Sequence, residues 1–455
     1  MRVETDIPIS LEFVKRSLGI PYLPEDSKKT VKAICTDSRT VKRGDLFIGI
    51  RGERYDGSEF IPEIKRTALF TIGTESSDAD LKLKDTGTAL LNLASAYKKL
   101  LPIKKTVAIT GSVGKTTTKE LTRSILQQKF LTHATYGNLN NEIGVPFTLF
   151  SAPKGTEALI IEAGMNHTGE LKRLSKCIEP DLAVITKIGN AHIGNLGSRE
   201  KIAEAKLEIL DGMKEKKAII PSAEPLLISK LSAFKSVSLG SSDADFTLSK
   251  SDADDDIFYF KHAHNIYELH LPGLCLANFH TADCLAFALA VAFEVNMSER
   301  EIRSALDKTD FSRFSNLIQA GRLLILNDSY NSSPDAVICA LDSLKKKKRK
   351  KSALIGDMLE LGEFGENMHF EIGVHAGKSS LEKLYLIGEY SKYVLEGALS
   401  AGFDKDKAFI NENANAPEIT AEQILEHSSD ELILFKASRK IGLERIIDIL
   451  KKAEK

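Results

Sequence analysis

No stretch of the 455-residue sequence approaches the roughly 18 unbroken apolar residues of a membrane span. The opening MRVETDIPIS also lacks a basic segment followed by an apolar one, so neither insertion nor secretion is expected. Charge of one sign is missing as well: 62 basic against 63 acidic residues leave a net charge of −1, and no global field recruits nucleic acid or a membrane surface. Cysteine is sparse. Cys35, Cys177, Cys275, Cys284 and Cys339 lie far apart without a CxxC pair, which argues against a disulfide framework or a thiolate zinc site and fits a reducing cytoplasm. No internal repeat of roughly 20–50 residues is visible.

What is present is an ordinary globular composition, 42% apolar and 27% charged, on a chain longer than one core sustains. Two or three domains are expected. Residues 1–98 hold short apolar runs with turn residues, as in GDLFIGIRGERYDGSEF, and end in the helical ALLNLASAYKKLLP, which reads as a small N-terminal α/β domain hinged to the next unit. Over 99–310 the strands TVAIT, ALIIEA, LAVITKIG and KAIIP alternate with amphipathic helices, the pattern of a doubly wound, mostly parallel sheet. LSKSDADDDIFYFKHAHNIYELHLPG alternates like antiparallel strands, and DCLAFALAVAFEVN reads as a buried helix closing that domain. Strand and helix alternation restarts at 311–455 with RLLILNDS, KSALIGD, KLYLIGE and ELILFKAS, a Rossmann-like α/β unit. The basic run KKKKRKK at 345–351 reads as a solvated helix end rather than a nucleic-acid site.

AITGSVGKTTTKEL carries Gly111-x-x-Gly114-Lys115-Thr116-Thr117 directly after an apolar strand, and Ile109 stands where the common GxxxxGK[ST] form has its first glycine. Glycines let backbone N–H groups, that of Ser112 among them, approach phosphate oxygens at the positive end of the following helix. Lys115 neutralises phosphate charge and a threonine hydroxyl reaches Mg²⁺. A plain glycine turn beside a surface lysine is the competing reading, and the coincidence of strand, glycines, Lys-Thr and helix opposes it. Glu162 ends the strand ALIIE and His192 follows the strand LAVITKIG, so both stand where open α/β sheets bind ligands and both can ligate a divalent cation. Singly, each is as well explained as a strand-end acid or a loop histidine. Lys206, in the amphipathic KIAEAKLEIL, is a solvent lysine or something more particular.

Taken together these motifs resemble the Mur ligase family, ATP-dependent amide-forming enzymes of bacterial cell-wall precursor synthesis, and the resemblance covers nearly the whole chain. TDSRTVKRGDLFIGIRGERYDGSEFI resembles the UDP-binding domain and implies substrate contacts from Ser38 and Arg39. YGNLNNEIGVP, EAGMNHTGEL and NAHIGNLGSREKIAEAK follow in family order, implying further substrate contacts from Asn138, Asn140 and Asn141. NDSYNSSPDAV, IGDMLELGEFGENMH and LFKASRKIGLERII resemble the member that joins D-alanyl-D-alanine to UDP-N-acetylmuramoyl-tripeptide.

The resemblance assigns roles that spacing could not. Lys115, Thr116 and Thr117 would handle ATP; Thr116, Glu162, His192 and a Lys206 that can be carbamylated would hold Mg²⁺; Arg313 would approach ATP from the third domain. Asp328, Tyr330 and Asn331 match a nucleotide-contacting element, and Lys436, Ser438 and Arg439 would lie near the dipeptide or the reacting phosphate. His280 would reach adenine, although NFHTADC replaces the family's two asparagines with Thr281 and Cys284; Ala437 and Ser312 stand at positions where the family commonly has glycine. The implied protein is a cytoplasmic monomer that uses ATP and Mg²⁺ to join two small-molecule substrates. Two alternatives stay open: a related amide ligase such as a folylpolyglutamate synthetase, or a nucleotide-binding scaffold whose chemistry has decayed.

Overall fold

The computed structural model describes residues 1–52, 55–240, 244–272, 274, 281–314, 317–329, 332–345 and 349–453, the side chains of Ser312 and Arg313 excepted. Three sheets follow one another along the chain. The first joins β1 (Arg2–Ser10), β2 (Thr30–Cys35), β3 (Leu46–Ile48), β4 (Phe70–Thr74) and β5 (Leu81–Leu83) in sequence order, with only β1 antiparallel to its neighbour. The second contains β6 (Lys105–Thr110), β7 (Thr132–Ala134), β8 (Ala158–Glu162), β9 (Leu182–Ile185), β10 (Ala218–Pro221), β11 (Lys235–Leu239), β12 (Phe246–Lys250), β13 (Ile257–His262) and β14 (Asn265–His270). Their spatial order is β14-β13-β12-β11-β10-β9-β6-β8-β7.

The residues of β8 and β9 are all buried, as expected of apolar runs in a parallel sheet covered on both faces. Side chains alternate between two cores: Val107, Ile109 and Ile160 pack with the helix Lys115–Leu126, whereas Ala108, Leu159 and Ile161 pack with the helix Glu170–Ile178 on the opposite face. The polar–apolar alternation of the later stretch forms the antiparallel strands β12 to β14, and the buried helix is Thr281–Glu294. The decisive feature is β6, flanked by β8 on one side and β9 on the other. The chain reverses direction across the sheet there, and a crevice opens beyond the carboxyl ends of those three strands.

The third sheet has the order β15-β16-β20-β17-β18-β19, from β15 (Leu317–Ala320), β16 (Leu323–Asn327), β17 (Lys351–Gly356), β18 (Leu384–Ile387), β19 (Ala408–Asn411) and β20 (Leu432–Lys436), with only β15 antiparallel. The architecture is therefore the expected three-part α/β one. Two local readings are refined. The helix Thr86–Lys98 is a shared strut: the Tyr97 hydroxyl accepts the Ile7 N–H at 3.1 Å, while Lys98 Nζ donates to Ile178 O at 2.5 Å on the central unit. The basic run is not wholly solvated, because its last member, Lys351, opens β17 buried and donates to Lys345 O at 2.8 Å. Among the described residues no helix is long and apolar enough to cross a membrane.

Candidate active site

Beyond Thr110 the chain turns into the helix Lys115–Leu126 through four residues, and the turn tolerates little but glycine. Gly111 has φ of 148°, and a Cβ there would stand 2.0 Å from Thr186 Oγ1; Gly114 caps the helix at φ of 86°, with Cys284 Sγ 3.0 Å from where its Cβ would lie. The loop is braced from the segment after β9: Ser112 N donates to Lys187 O at 2.8 Å, and Ser112 Oγ accepts from Gly189 N at 2.9 Å. Lys115 Nζ donates to Gly111 O at 2.8 Å. Burial lowers the Lys115 pKa, and the nearby Glu162 opposes that shift. Cys284 donates to Gly114 O at 3.5 Å; burial pushes its thiol up to about 12, so it packs as an inert neutral group.

The centre of the site is Glu162, 2% exposed at the end of β8. Its two oxygens are held from opposite sides: Thr116 Oγ1 donates to Oε2 at 2.9 Å, and Asn140 Nδ2 donates to Oε1 at 2.8 Å. One carboxylate thus joins the phosphate loop to the asparagine-rich segment. Asn141 instead caps the helix Gly144–Phe150, accepting the Ile143 N–H at 3.2 Å and the Gly144 N–H at 2.8 Å, while Asn138 is exposed beside it. Sequence reasoning missed Lys119. It lies four residues beyond Lys115 on the same helix, fully buried, with Nζ 3.9 Å from Glu162 Oε2. The four-residue spacing was the available signal.

Lys206 occupies the last turn of the helix Arg199–Leu207, 2% exposed. Burial, reinforced by the positive charge of Lys115, drives its pKa well below the ordinary lysine value. It is not a solvent lysine. His192 adopts φ of 65° at the start of the short helix Ile193–Leu196, and its Nδ1 stands 3.2 Å from Glu360 Oε2, outside hydrogen-bond alignment. Contact with His192 keeps the Glu360 carboxyl below its usual pKa.

Glu360 belongs to the third unit, where it too has positive φ, 67°. Its loop is pinned at several points. Met358 N donates to His369 Nε2 at 3.0 Å, Leu359 N to Ser438 Oγ at 2.9 Å, and the Asp357 carboxylate accepts the N–H groups of Glu389 and Tyr390 at 2.9 and 3.0 Å. Ser438 therefore anchors this loop. Lys436, buried, pairs with Asp328 Oδ2 at 2.8 Å and donates to Asp328 O at 3.0 Å, bringing two expected site residues together, with Arg439 exposed nearby in sequence. A contact not anticipated from sequence is Asp335, in the first turn of the helix Pro334–Lys345, which accepts from Asn190 N and from Asn190 Nδ2, the latter at 3.3 Å. Ser38 and the exposed Arg39 lie apart on the first unit, where Arg39 pairs with Asp37 at 2.8 Å. His280, Tyr330, Asn331 and the side chain of Arg313 lie outside the described residues.

No group of three His, Cys, Asp or Glu side chains is gathered for a metal among the described residues. The expected set contains only two such side chains. What the site offers is nevertheless suited to Mg²⁺: a buried carboxylate already touching a threonine hydroxyl, and near Lys115 a second buried lysine, Lys206, held towards its neutral form.

Residues 109–292 match the Mur ligase middle domain, residues 312–439 the Mur ligase glutamate ligase domain, and residues 30–78 the Mur ligase family catalytic domain. The chain is 32% identical over 451 residues to the UDP-N-acetylmuramoyl-tripeptide–D-alanyl-D-alanine ligase of Bacillus subtilis, covering 96% of each protein. Among solved structures it resembles MurF from Acinetobacter baumannii, with TM-score 0.83, 27% identity and 99% and 100% of the two chains covered. It also resembles MurF from Thermotoga maritima in complex with ADP, with TM-score 0.80, 28% identity and 92% and 97% covered.

Proposed function

The chain belongs to the Mur ligase family and is an ATP-dependent amide-forming ligase; from that premise we propose that it joins D-alanyl-D-alanine to the terminal carboxylate of UDP-N-acetylmuramoyl-tripeptide. The observation that carries the reading is Glu162, which contacts the phosphate-loop threonine on one side and the asparagine-rich segment on the other. A nucleotide and an acid substrate meet at such a carboxylate. The reading includes units at 1–98, 99–310 and 311–455 for the UDP-substrate, for ATP, and for the dipeptide, and a cytoplasmic place of action.

A carboxylate is inert to amines, so the reaction needs activation. The tripeptide carboxylate oxygen attacks the γ-phosphorus of ATP, the bond to the β-phosphate oxygen breaks, and an acyl phosphate and ADP result. The dipeptide amine then attacks the acyl carbon and gives up a proton to water, and the tetrahedral intermediate expels inorganic phosphate. Two anions must approach in the first step, so positioning and cationic stabilisation supply most of the catalysis. Lys115 and the N–H groups of residues 113–116 hold the phosphates, whereas the Ser112 N–H, expected among them, is taken up by Lys187 O. Thr116, Glu162, His192 and Lys206 would hold Mg²⁺, which when bound supplies positive charge against the phosphate oxygens. Because Lys206 is held towards the neutral amine, it can add to CO₂ with loss of a proton, becoming a carbamate whose oxygens suit that ion. Arg313 would approach ATP from the third unit, and Lys436, Ser438 and Arg439 would lie near the dipeptide or the reacting phosphate.

Release of ADP that requires both the UDP-muramoyl-tripeptide and D-alanyl-D-alanine tests the reading. Labelled oxygen from the tripeptide carboxylate should appear in the released phosphate, and failure of that transfer rules out the acyl phosphate. Lys115→Ala should lose ADP formation while still binding the UDP-substrate. A folylpolyglutamate substrate supporting equal ADP release would move the protein to the related ligase class; ADP release indifferent to both substrates would favour a decayed scaffold.

A further inference from the structure

Lys119 has no part in the reaction just described, yet it is the most enclosed cation in the central unit. It sits on the face of the helix Lys115–Leu126 that looks along the sheet edge, fully buried. Its ammonium donates to Thr135 O at 2.7 Å, pairs with Glu120 Oε1 at 3.0 Å, and stands 3.9 Å from Glu162 Oε2. Thr135 closes the circuit, because its Oγ1 accepts the Glu162 N–H at 3.0 Å. A buried ammonium is retained only where its charge is answered, and here the answer is one carbonyl, one partly exposed carboxylate and the carboxylate at the centre of the site.

We propose that Lys119 is a positioning residue of the metal site: a resident cation that compensates Glu162, holds it between Thr116 and Asn140, and sets how tightly a divalent ion binds there. The inference rests on the reading of Glu162 as a metal ligand. Two cations that share one carboxylate repel each other, and in a buried setting that repulsion is poorly screened. Lys119 therefore weakens metal binding while keeping the carboxylate aimed. Glu120, 39% exposed in its side chain, draws off part of the lysine charge and moderates the repulsion.

The experiment is Mn²⁺ binding to the full chain with ADP present, read from the electron paramagnetic resonance signal of free Mn²⁺. Lys119→Met should tighten binding about tenfold, since a neutral side chain of similar length replaces the cation. Lys119→Arg keeps the charge and should stay within about twofold of the native protein. Glu120→Gln should weaken binding by about two- to threefold, and it leaves the buried lysine in place, so it decides the matter even if Lys119→Met does not fold. Unchanged or weaker binding in a folded Lys119→Met, or unchanged or tighter binding in Glu120→Gln, overturns the proposal. Glu162→Gln separates this from the reading beneath it. Mn²⁺ binding that survives Glu162→Gln removes both; binding lost there but unmoved by Lys119→Met and Glu120→Gln removes only the role of Lys119.

Discussion

Two lysines, Lys119 and Lys206, are buried in the central unit, and the fold treats them in opposite ways. Lys119 is surrounded by acceptors, with Thr135 O, Glu120 and Glu162 all within 4 Å. Lys206 has Lys115 as its charged neighbour, and burial pushes its pKa far down. The first is buried among acceptors, and the second is pressed towards a free amine. Burial alone decides nothing about a lysine; what it is buried against decides whether it acts as a fixed charge or as a nucleophile.

The largest effect that sharpens this contrast is expected on turnover. Lys206→Ala should lower kcat by about a thousandfold, because loss of an oxygen donor to the metal removes several kcal/mol of stabilisation from the reacting phosphate. Depleting bicarbonate should lower the activity of the native enzyme in the same direction. Full turnover by Lys206→Ala would break the comparison, leaving Lys206 as merely a badly placed core residue.

Stability supplies the next test. Lys119→Met leaves Thr135 O without its donor and Glu162 without its nearest cation, at a cost of about 3 kcal/mol, visible as a lower Tm. The same substitution at Lys206 should raise stability by about 1 kcal/mol at neutral pH, since no acceptor is orphaned and a costly burial is relieved. Opposite signs for one substitution at two buried lysines are the expected outcome of paired thermal melts; equal signs would erase the distinction.

A smaller effect follows from pH. The folded chain disfavours the protonated form of Lys206, whereas the unfolded chain takes up that proton below the ordinary lysine value of about 10.4. Folding therefore releases a proton, and between the lowered folded value and the ordinary lysine value stability rises with pH. The advantage of Lys206→Met over the native protein should shrink across the same window in CO₂-free buffer. A stability difference flat in pH would mean that Lys206 keeps its proton in the fold.

Much of this was legible in the chain. The phosphate loop, the strand-end Glu162 and the alternation of strands with helices could be read because each depends on neighbours in sequence: two glycines after an apolar run, an acid closing ALIIE, a polar–apolar alternation in LSKSDADDDIFYFKHAHNIYELHLPG. What escaped depends on distant partners. Lys119 shares its helix with Lys115, but Thr135 and Glu162 reach it only because β7 and β8 pair beside β6. Glu360 meets His192 from another sheet, with both backbones at positive φ, and no local pattern announces such a pairing. The same holds for the strut Thr86–Lys98, whose amphipathic sequence shows that it packs but not that it packs on two units at once.

The contact of Asp335 with Asn190 bears on how far the lysine contrast belongs to the central unit alone. Asp335 stands two residues into the helix Pro334–Lys345 and accepts from Asn190 N, beside Gly189, where a Cβ would come within 2.7 Å of Asp335 Oδ2. Gly189 in turn donates to Ser112 of the phosphate loop, so this carboxylate ties the third unit to the nucleotide site. Asp335→Ala should cost about 1 kcal/mol and loosen that docking, raising the radius of gyration measured by small-angle X-ray scattering. Lys119 shares no hydrogen-bond partner with Asp335, because its acceptors lie on the β7 and β8 side of β6. The stability losses of Lys119→Met and Asp335→Ala should then add to within about 0.5 kcal/mol in the double variant. Strong coupling between them would show that the buried cation answers to the docking of the third unit, and the contrast between the two lysines would have to be redrawn as a property of the closed assembly.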